Sequence, residues 1–232
     1  MINAKNLYFK YEDDFVLKNI SLEIKEGSFT AIIGANGSGK TTLAKHFNAL
    51  LMPTKGDVLV DGISTKKDEF NARKNVGFVF QNFEDQLVYS IVEEEIAFGL
   101  ENLELKNEDI NKSVDEILTK LNIKHLAKRN VSTLSLGQKQ LVALAGVLAM
   151  KPKCIVFDEP TTNLDEKNKK NIMNIIKGLN QKDKITMIVI TNLLDDLKYT
   201  DDVIVIKNGG VIFNDKKLKL RNKTLKEAVL YD

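Results

Sequence analysis

Residues 34–41 read Gly34-Ala-Asn36-Gly37-Ser38-Gly39-Lys40-Thr41, a complete G-x-x-x-x-G-K-[ST] phosphate-binding loop, and nothing else in this chain limits its fold so tightly. The loop follows an apolar run, Phe29-Thr-Ala-Ile-Ile33, that reads as a buried strand. It leads into residues 42–47, which read as a helix. A strand–loop–helix context turns a pattern match into a mechanism. Glycines let consecutive backbone N–H groups turn toward phosphate oxygens, and the helix N-terminus adds partial positive charge. Lys40 can reach the β- and γ-phosphates, and Thr41 can place its hydroxyl on Mg²⁺. The expectation is a nucleoside-triphosphate-binding α/β chain.

Charge and composition narrow the partners. Acidic and basic residues nearly cancel, at a formal net charge of +2, which gives no electrostatic case for nucleic acid. A single cysteine, Cys154, excludes an internal disulfide framework and suits a reducing compartment. Lys5, Lys10 and Glu12 interrupt any apolar stretch near the start, so no signal peptide is expected. The longest apolar run, residues 141–150, falls well short of the roughly 18 residues a spanning helix needs. The chain is not expected to cross a membrane by itself.

Around the phosphate loop, residues 6–11, 17–24 and 57–60 have β character, punctuated by Gly27, Gly56 and Gly62. Another strand, Val76-Gly-Phe-Val-Phe80, ends at Gln81. From there to about residue 133 the pattern changes to helix, with Ile110, Val114, Ile117, Leu118 and Leu121 at helical spacing. Three short apolar runs follow, at 154–157, 186–190 and 203–206. Such runs suit strands covered on both faces, as in a parallel sheet. Cys154-Ile-Val-Phe-Asp158-Glu159 is an apolar strand ending in two carboxylates. Beside a phosphate loop, Asp158 can hold Mg²⁺ through its water shell, and Glu159 can orient or deprotonate the attacking water. Gln81 could reach either through its amide, although a lone glutamine there is uninformative.

Phosphate loop, Gln81, Leu134-Ser135-Leu136-Gly137-Gln138, residues 154–159 and Asn163-Leu164-Asp165 stand in the order seen in ATP-binding cassette (ABC) ATPases, a family this chain resembles over about residues 2–213. Phe80-Gln-Asn-Phe-Glu-Asp-Gln-Leu-Val88 and Val92-Glu-Glu-Glu-Ile-Ala-Phe-Gly99 narrow the likeness to energy-coupling factor transporter ATPases, which include cobalt and nickel importers. The resemblance implies one ABC-type P-loop ATPase domain over 1–232. Its core would comprise 1–81 and 134–215, with a parallel sheet and an N-terminal antiparallel β region. A helical subdomain would cover 82–133 and a short basic tail 216–232. It also implies ATP and Mg²⁺ as cofactors. The expected partners are a second ABC subunit, in a homo- or heterodimer, and an integral membrane subunit at the cytoplasmic face. By resemblance, Tyr11 stacks on adenine, and Asn36, Gly37, Ser38, Gly39, Lys40, Thr41 and Thr42 wrap the phosphates. Thr41, Gln81 and Asp158 serve Mg²⁺, and Glu159 is the catalytic base. Ser135, Gly137 and Gln138 belong to the signature that meets the partner's γ-phosphate, and Asp165 contacts the partner's phosphate loop.

Three positions depart from the family pattern. The switch histidine is Asn192, the third signature position is Leu136 rather than glycine, and a usual arginine is Leu141. An asparagine amide is neutral and reaches roughly 1 Å less far than the distal nitrogen of an imidazole. Neither His46 nor His125 stands where it could substitute, and both are expected at packed or surface positions. The departures admit tolerated drift or a weakened member of an unequal pair. The leading expectation is the ATP-driven motor of an importer of a vitamin or transition-metal ion. Its rivals are a nucleotide-gated subunit that scarcely hydrolyses ATP and a soluble ABC ATPase. The basic, leucine-interleaved end, residues 216–226, reads first as a solvated terminal segment.

Overall fold

The computed structural model describes residues 1–162, 164–221 and 224–225; Asn163 and the rest of the basic tail lie outside the described residues. Two sheets organise the chain. The first is antiparallel, in the order β2-β1-β4-β5, from β1 (Ile2–Lys10), β2 (Phe15–Ile24), β4 (Lys55–Val60) and β5 (Ile63–Ser64). The second has six strands, from β3 (Phe29–Ile33), β6 (Val76–Val79), β7 (Cys154–Asp158), β8 (Thr186–Ile190), β9 (Asp202–Lys207) and β10 (Gly210–Lys216). Its order is β10-β9-β3-β8-β7-β6, and only the β9–β10 pair is antiparallel.

Every residue of β3, β6, β7 and β8 is buried, which explains their unbroken apolar character. Alternate side chains enter different cores. Ile155, Phe157, Met187 and Val189 join the cluster built on the helices, whereas Val156, Ile188, Ile190 and Ile32 join the cluster beneath the antiparallel sheet. The helices are α1 (Lys40–Phe47), α2 (Glu69–Asn75), α3 (Val92–Glu101), α4 (Asn107–Lys120), α5 (Leu136–Ala149) and α6 (Glu166–Asp183). On α4, Ile110, Val114 and Leu118 recur every fourth residue and form the buried face that joins the core with α3 and α5. The stretch 82–133 carries α3 and α4 between short 3₁₀ turns, as its periodicity predicts.

Helices α5 and α6 have no counterpart in the elements expected from the sequence, and neither do β10, β5 and α2. Strand β10 alternates exposed and half-buried residues, so a search for apolar runs passes over it. Strand β5 has two residues, and α2 buries only Ala72. His46 is fully buried in α1, with Nδ1 2.7 Å from the Thr42 carbonyl oxygen and its ring edge-on to Phe9, while His125 is exposed. Burial lowers the His46 imidazole below its ordinary value.

The register decides where chemistry can happen. Ile190 pairs with both Asp158 and Ile32, and Val79 pairs with Phe157. The carboxyl ends of β3, β6, β7 and β8 therefore lie along one edge. In open α/β sheets that edge is where ligands bind.

Candidate functional site

The phosphate loop leaves β3 at Ile33 and enters α1 at Lys40. Two glycines are required by space as well as by flexibility. Gly39 caps α1 at φ 103°, and a Cβ there would lie 2.8 Å from the Leu17 side chain. A Cβ on Gly34 would run into the Ile206 carbonyl. Lys40 folds back over the loop and donates to the carbonyls of Gly34 (2.8 Å) and Ala35 (3.0 Å). Its ammonium thus stands within the concavity whose backbone N–H groups suit an anion. Buried Ser38 Oγ has no hydrogen-bond partner, an orphan polar atom in the wall of that cradle. Tyr11 is 60% exposed, packs edge-on to Phe9, and has its hydroxyl 3.3 Å from Thr42 Oγ1. That leaves an open aromatic ring beside the loop.

The neighbouring strand ends converge on Glu159. Gln81 Nε2 donates to Glu159 Oε2 (2.9 Å), as does Thr162 Oγ1 (3.2 Å). Asn192 Nδ2 donates to Glu159 Oε1 (2.9 Å) and to Asn36 Oδ1 (2.8 Å), so this amide ties the carboxylate to the phosphate loop. Asn192 Oδ1 is buried without a partner. Glu159 itself has φ +48°, a left-handed conformation that costs a non-glycine residue of order 1–3 kcal/mol. One position earlier, Asp158 is 4% exposed and accepts from Thr41 Oγ1 at 3.0 Å. Burial raises the Asp158 carboxyl above its ordinary value, against the pull of the Thr41 hydrogen bond. A hydroxyl and a carboxylate meeting beside a phosphate cradle form a hard oxygen donor set that fits Mg²⁺, which binds through few protein ligands plus phosphate and water. Four separate strand ends thus supply a phosphate cradle, an oxygen pair and an oriented carboxylate.

Residues 17–162 match the family described as ABC transporter. The sequence is 45% identical to the energy-coupling factor transporter ATP-binding protein EcfA1 of Clostridium novyi over 220 residues, 91% of this chain and 78% of the relative. It is 42% identical to the cobalt import ATP-binding protein CbiO of Syntrophus aciditrophicus over 220 residues, 93% of this chain and 78% of that one. The solved structure of cbiO1 from Clostridium perfringens, part of the ABC transporter complex cbiONQ, is similar with a TM-score of 0.87 at 36% identity, covering 97% of this chain and 92% of that chain. The ATP-binding cassette MJ0796, solved as a dimer bound to ADP and Pi, gives 0.81 at 32% identity over 93% and 98% of the two chains. The chain belongs to the ABC transporter family. ATP is its nucleotide, and its α/β fold is that of an ABC ATPase.

The remaining expected site residues of this ABC ATPase lie at the starts of α5 and α6. Ser135 caps α5 in a reciprocal capping box with Gln138: Ser135 N donates to Gln138 Oε1 (3.0 Å) and Gln138 N to Ser135 Oγ (3.4 Å). Asp165 caps α6 by accepting from Asn168 N (2.9 Å). That backbone bond is the foremost cause of the lowered Asp165 carboxyl. A Cβ on Gly137 would stand 3.5 Å from Asn168 Oδ1, so the two helix starts adjoin. Leu136 between them is 38% exposed, and Leu141 packs half-buried against the helical core. The hydrogen bonds of Ser135, Gln138 and Asp165 described here stay within their own helix ends. Ser135 and Asp165 are exposed, and Gln138 is half-buried.

Sequence reasoning missed Thr162, Gln140 and three residues behind the cluster. Gln140 is 2% exposed and donates from Nε2 to the Pro160 carbonyl (2.7 Å). Thr161 and Thr191 both donate to Asp196 Oδ2. A single sequence offers one weak signal, polar residues set directly against apolar runs, which is too common to select these positions.

Proposed function

We propose that this ABC ATPase is the ATP-hydrolysing motor of an importer of the energy-coupling-factor type, acting at the cytoplasmic face of a membrane. The observation that carries the reading is the convergence of Lys40, Thr41, Asp158, Gln81, Glu159 and Asn192 at one sheet edge. Identity to EcfA1 and CbiO proteins supports the transport context. Lys40, with residues 36–42, holds the phosphates, and Tyr11 stacks on the base. Thr41, Asp158 and Gln81 hold Mg²⁺, which when bound offsets the charge of the β- and γ-phosphates. Glu159, aimed by Gln81, Thr162 and Asn192, accepts the attacking water's proton. Ser135, Gly137 and Gln138 on one subunit, with Asp165, complete the site of a second ABC subunit, so two chains enclose two nucleotides. The core comprises 1–81 and 134–215, the helical subdomain 82–133 and the tail 216–232. The cargo is a vitamin or transition-metal ion. Steady-state ATP hydrolysis by the assembled complex, with uptake in membrane vesicles, tests the reading. ATP turnover that cargo import never accompanies sinks it.

The membrane subunit docks on the surface formed by 81–99. Val88 is 67% exposed and Tyr89 38%, with exposed Asp85 and Glu94 nearby in sequence. Buried Glu95 accepts from the N–H groups of Val88 (2.7 Å) and Tyr89 (2.6 Å) and fixes this tip in place. Glu95 is therefore a support for the docking loop, and so is Gln86, whose amide binds the backbone of Phe78 and Phe80. The double substitution D85K/V88E is expected to release the membrane subunit in detergent pull-downs while ATP binding persists. An assembly that survives it moves the docking surface elsewhere.

A second reading, a weakened member of an unequal pair, is favoured by Asn192. Asn192→His restores a donor with longer reach toward the γ-phosphate, and kcat at this site is expected to rise about tenfold, or about 1.4 kcal/mol. KM should change little, because the added contact is made to developing charge. A flat kcat in the physiological dimer, with binding intact, removes the case for a weakened motor.

A further inference from the structure

Asp196 lies in the 3₁₀ segment Leu194–Tyr199, just after the turn that carries Asn192, and is 5% exposed. Its Oδ2 accepts from Thr161 Oγ1 (2.9 Å) and from Thr191 Oγ1 (2.6 Å). Both threonines are 1% exposed. Thr161 is two residues beyond Glu159, and Thr191 is one before Asn192. A single buried carboxylate oxygen therefore joins the two turns that bring the candidate base and the switch-position amide together. Thr191 Oγ1 also accepts from Leu193 N (3.0 Å), which closes the second turn on itself.

We propose that Asp196 is a positioning residue that locks the turn bearing Glu159 to the turn bearing Asn192. The inference rests on the reading of Glu159 as the base. Its physical need is visible in the backbone. Glu159 sits at φ +48°, and such strain persists only where the surroundings over-determine the conformation. The restraints are few and identifiable. Glu159 N donates to the Ile190 carbonyl (2.9 Å), Gln140 grips the Pro160 carbonyl, and Asp196 grips Thr161. Beside the direct Asn192–Glu159 hydrogen bond, Asp196 holds both turns through one oxygen that accepts from a threonine on each. Without it, two buried hydroxyls lose their acceptor and the strained turn can relax. A shift of about 1 Å at a reacting group can cost on the order of 10² in rate. The phosphate cradle, residues 34–41, meets the Asn192 turn through the Asn36 side chain, while the Lys40 contacts to Gly34 and Ala35 involve neither turn.

The test compares kcat, KM, ATP affinity and thermal stability in the assembled complex. Asp196→Ala is expected to lower kcat about tenfold or more, with the ATP dissociation constant within about twofold of the parent. Asp196→Asn keeps an oxygen that can accept both hydroxyls and should recover most of the loss. A purely structural role would lower stability while leaving kcat per folded molecule at the parental value, and that result overturns the proposal. If Asp196→Ala does not fold, Thr161→Val and Thr191→Val each remove one hydroxyl at nearly constant volume. Each is then expected to lower kcat without weakening ATP binding, and parental kcat in both overturns the proposal. Glu159→Gln separates the layers. Parental turnover in that variant overturns the base reading and this inference with it. An inactive Glu159→Gln beside a fully active Asp196→Ala overturns this inference alone.

Discussion

Glu159→Gln is expected to lower kcat by about 10²–10⁴, the usual contribution of a positioned general base, while ATP still binds. The amide keeps the shape of the side chain but cannot take the water's proton. Its oxygen can occupy the place of Oε1 and keep the hydrogen bond from Asn192. Its NH₂ then faces Gln81 and Thr162. Exposed Gln81 can turn its amide oxygen to accept, and the Thr162 hydroxyl can accept as well as donate. The substitution therefore removes a proton acceptor without leaving a buried donor stranded. The ATP-bound dimer should accumulate, visible as a shift in size-exclusion chromatography with MgATP. A variant that turns over like its parent would show that the base lies elsewhere.

Lys40→Ala is expected to abolish tight binding of MgATP. Truncating one partner of a hydrogen-bonded charge pair in a desolvated site costs about 2–5 kcal/mol. That corresponds to roughly 30- to 5,000-fold in the dissociation constant. The lysine is 6% exposed and spans the loop to Gly34 and Ala35, so its charge is held in the cradle by the fold. Titration calorimetry with MgATP measures the change, and a thermal melt separates lost affinity from a collapsed loop. Affinity within about twofold of the parent would refute the phosphate-loop assignment.

The strands that build the site were legible because a sheet covered on both faces needs continuous apolar runs. β3, β7 and β8 are such runs, with phosphate loop, Asp158-Glu159 and Asn192 at or just past their ends. The α4 stripe was legible for the corresponding reason at period 3.6. β10 was hidden because an edge strand half open to solvent carries no such run. Gln86 and Glu95 show a different limit. Their residue types fit a docking surface as well as a support, and only the fold turns Glu95 inward onto the Val88 and Tyr89 amides.

Sequence alone determined the phosphate loop, the paired carboxylates and the order of the family motifs, because each needs particular residue types at fixed short spacings. Tertiary structure decided what those groups touch. Gln81 and Asn192 stand 78 and 33 positions from Glu159 in the chain, yet both donate to its carboxylate. The register of β6, β7 and β8 makes them neighbours, and register is set by pairing and core packing across the whole sheet. The Asp196 contacts to Thr161 and Thr191 arise in the same way, from side chains whose identity is common and whose placement is not.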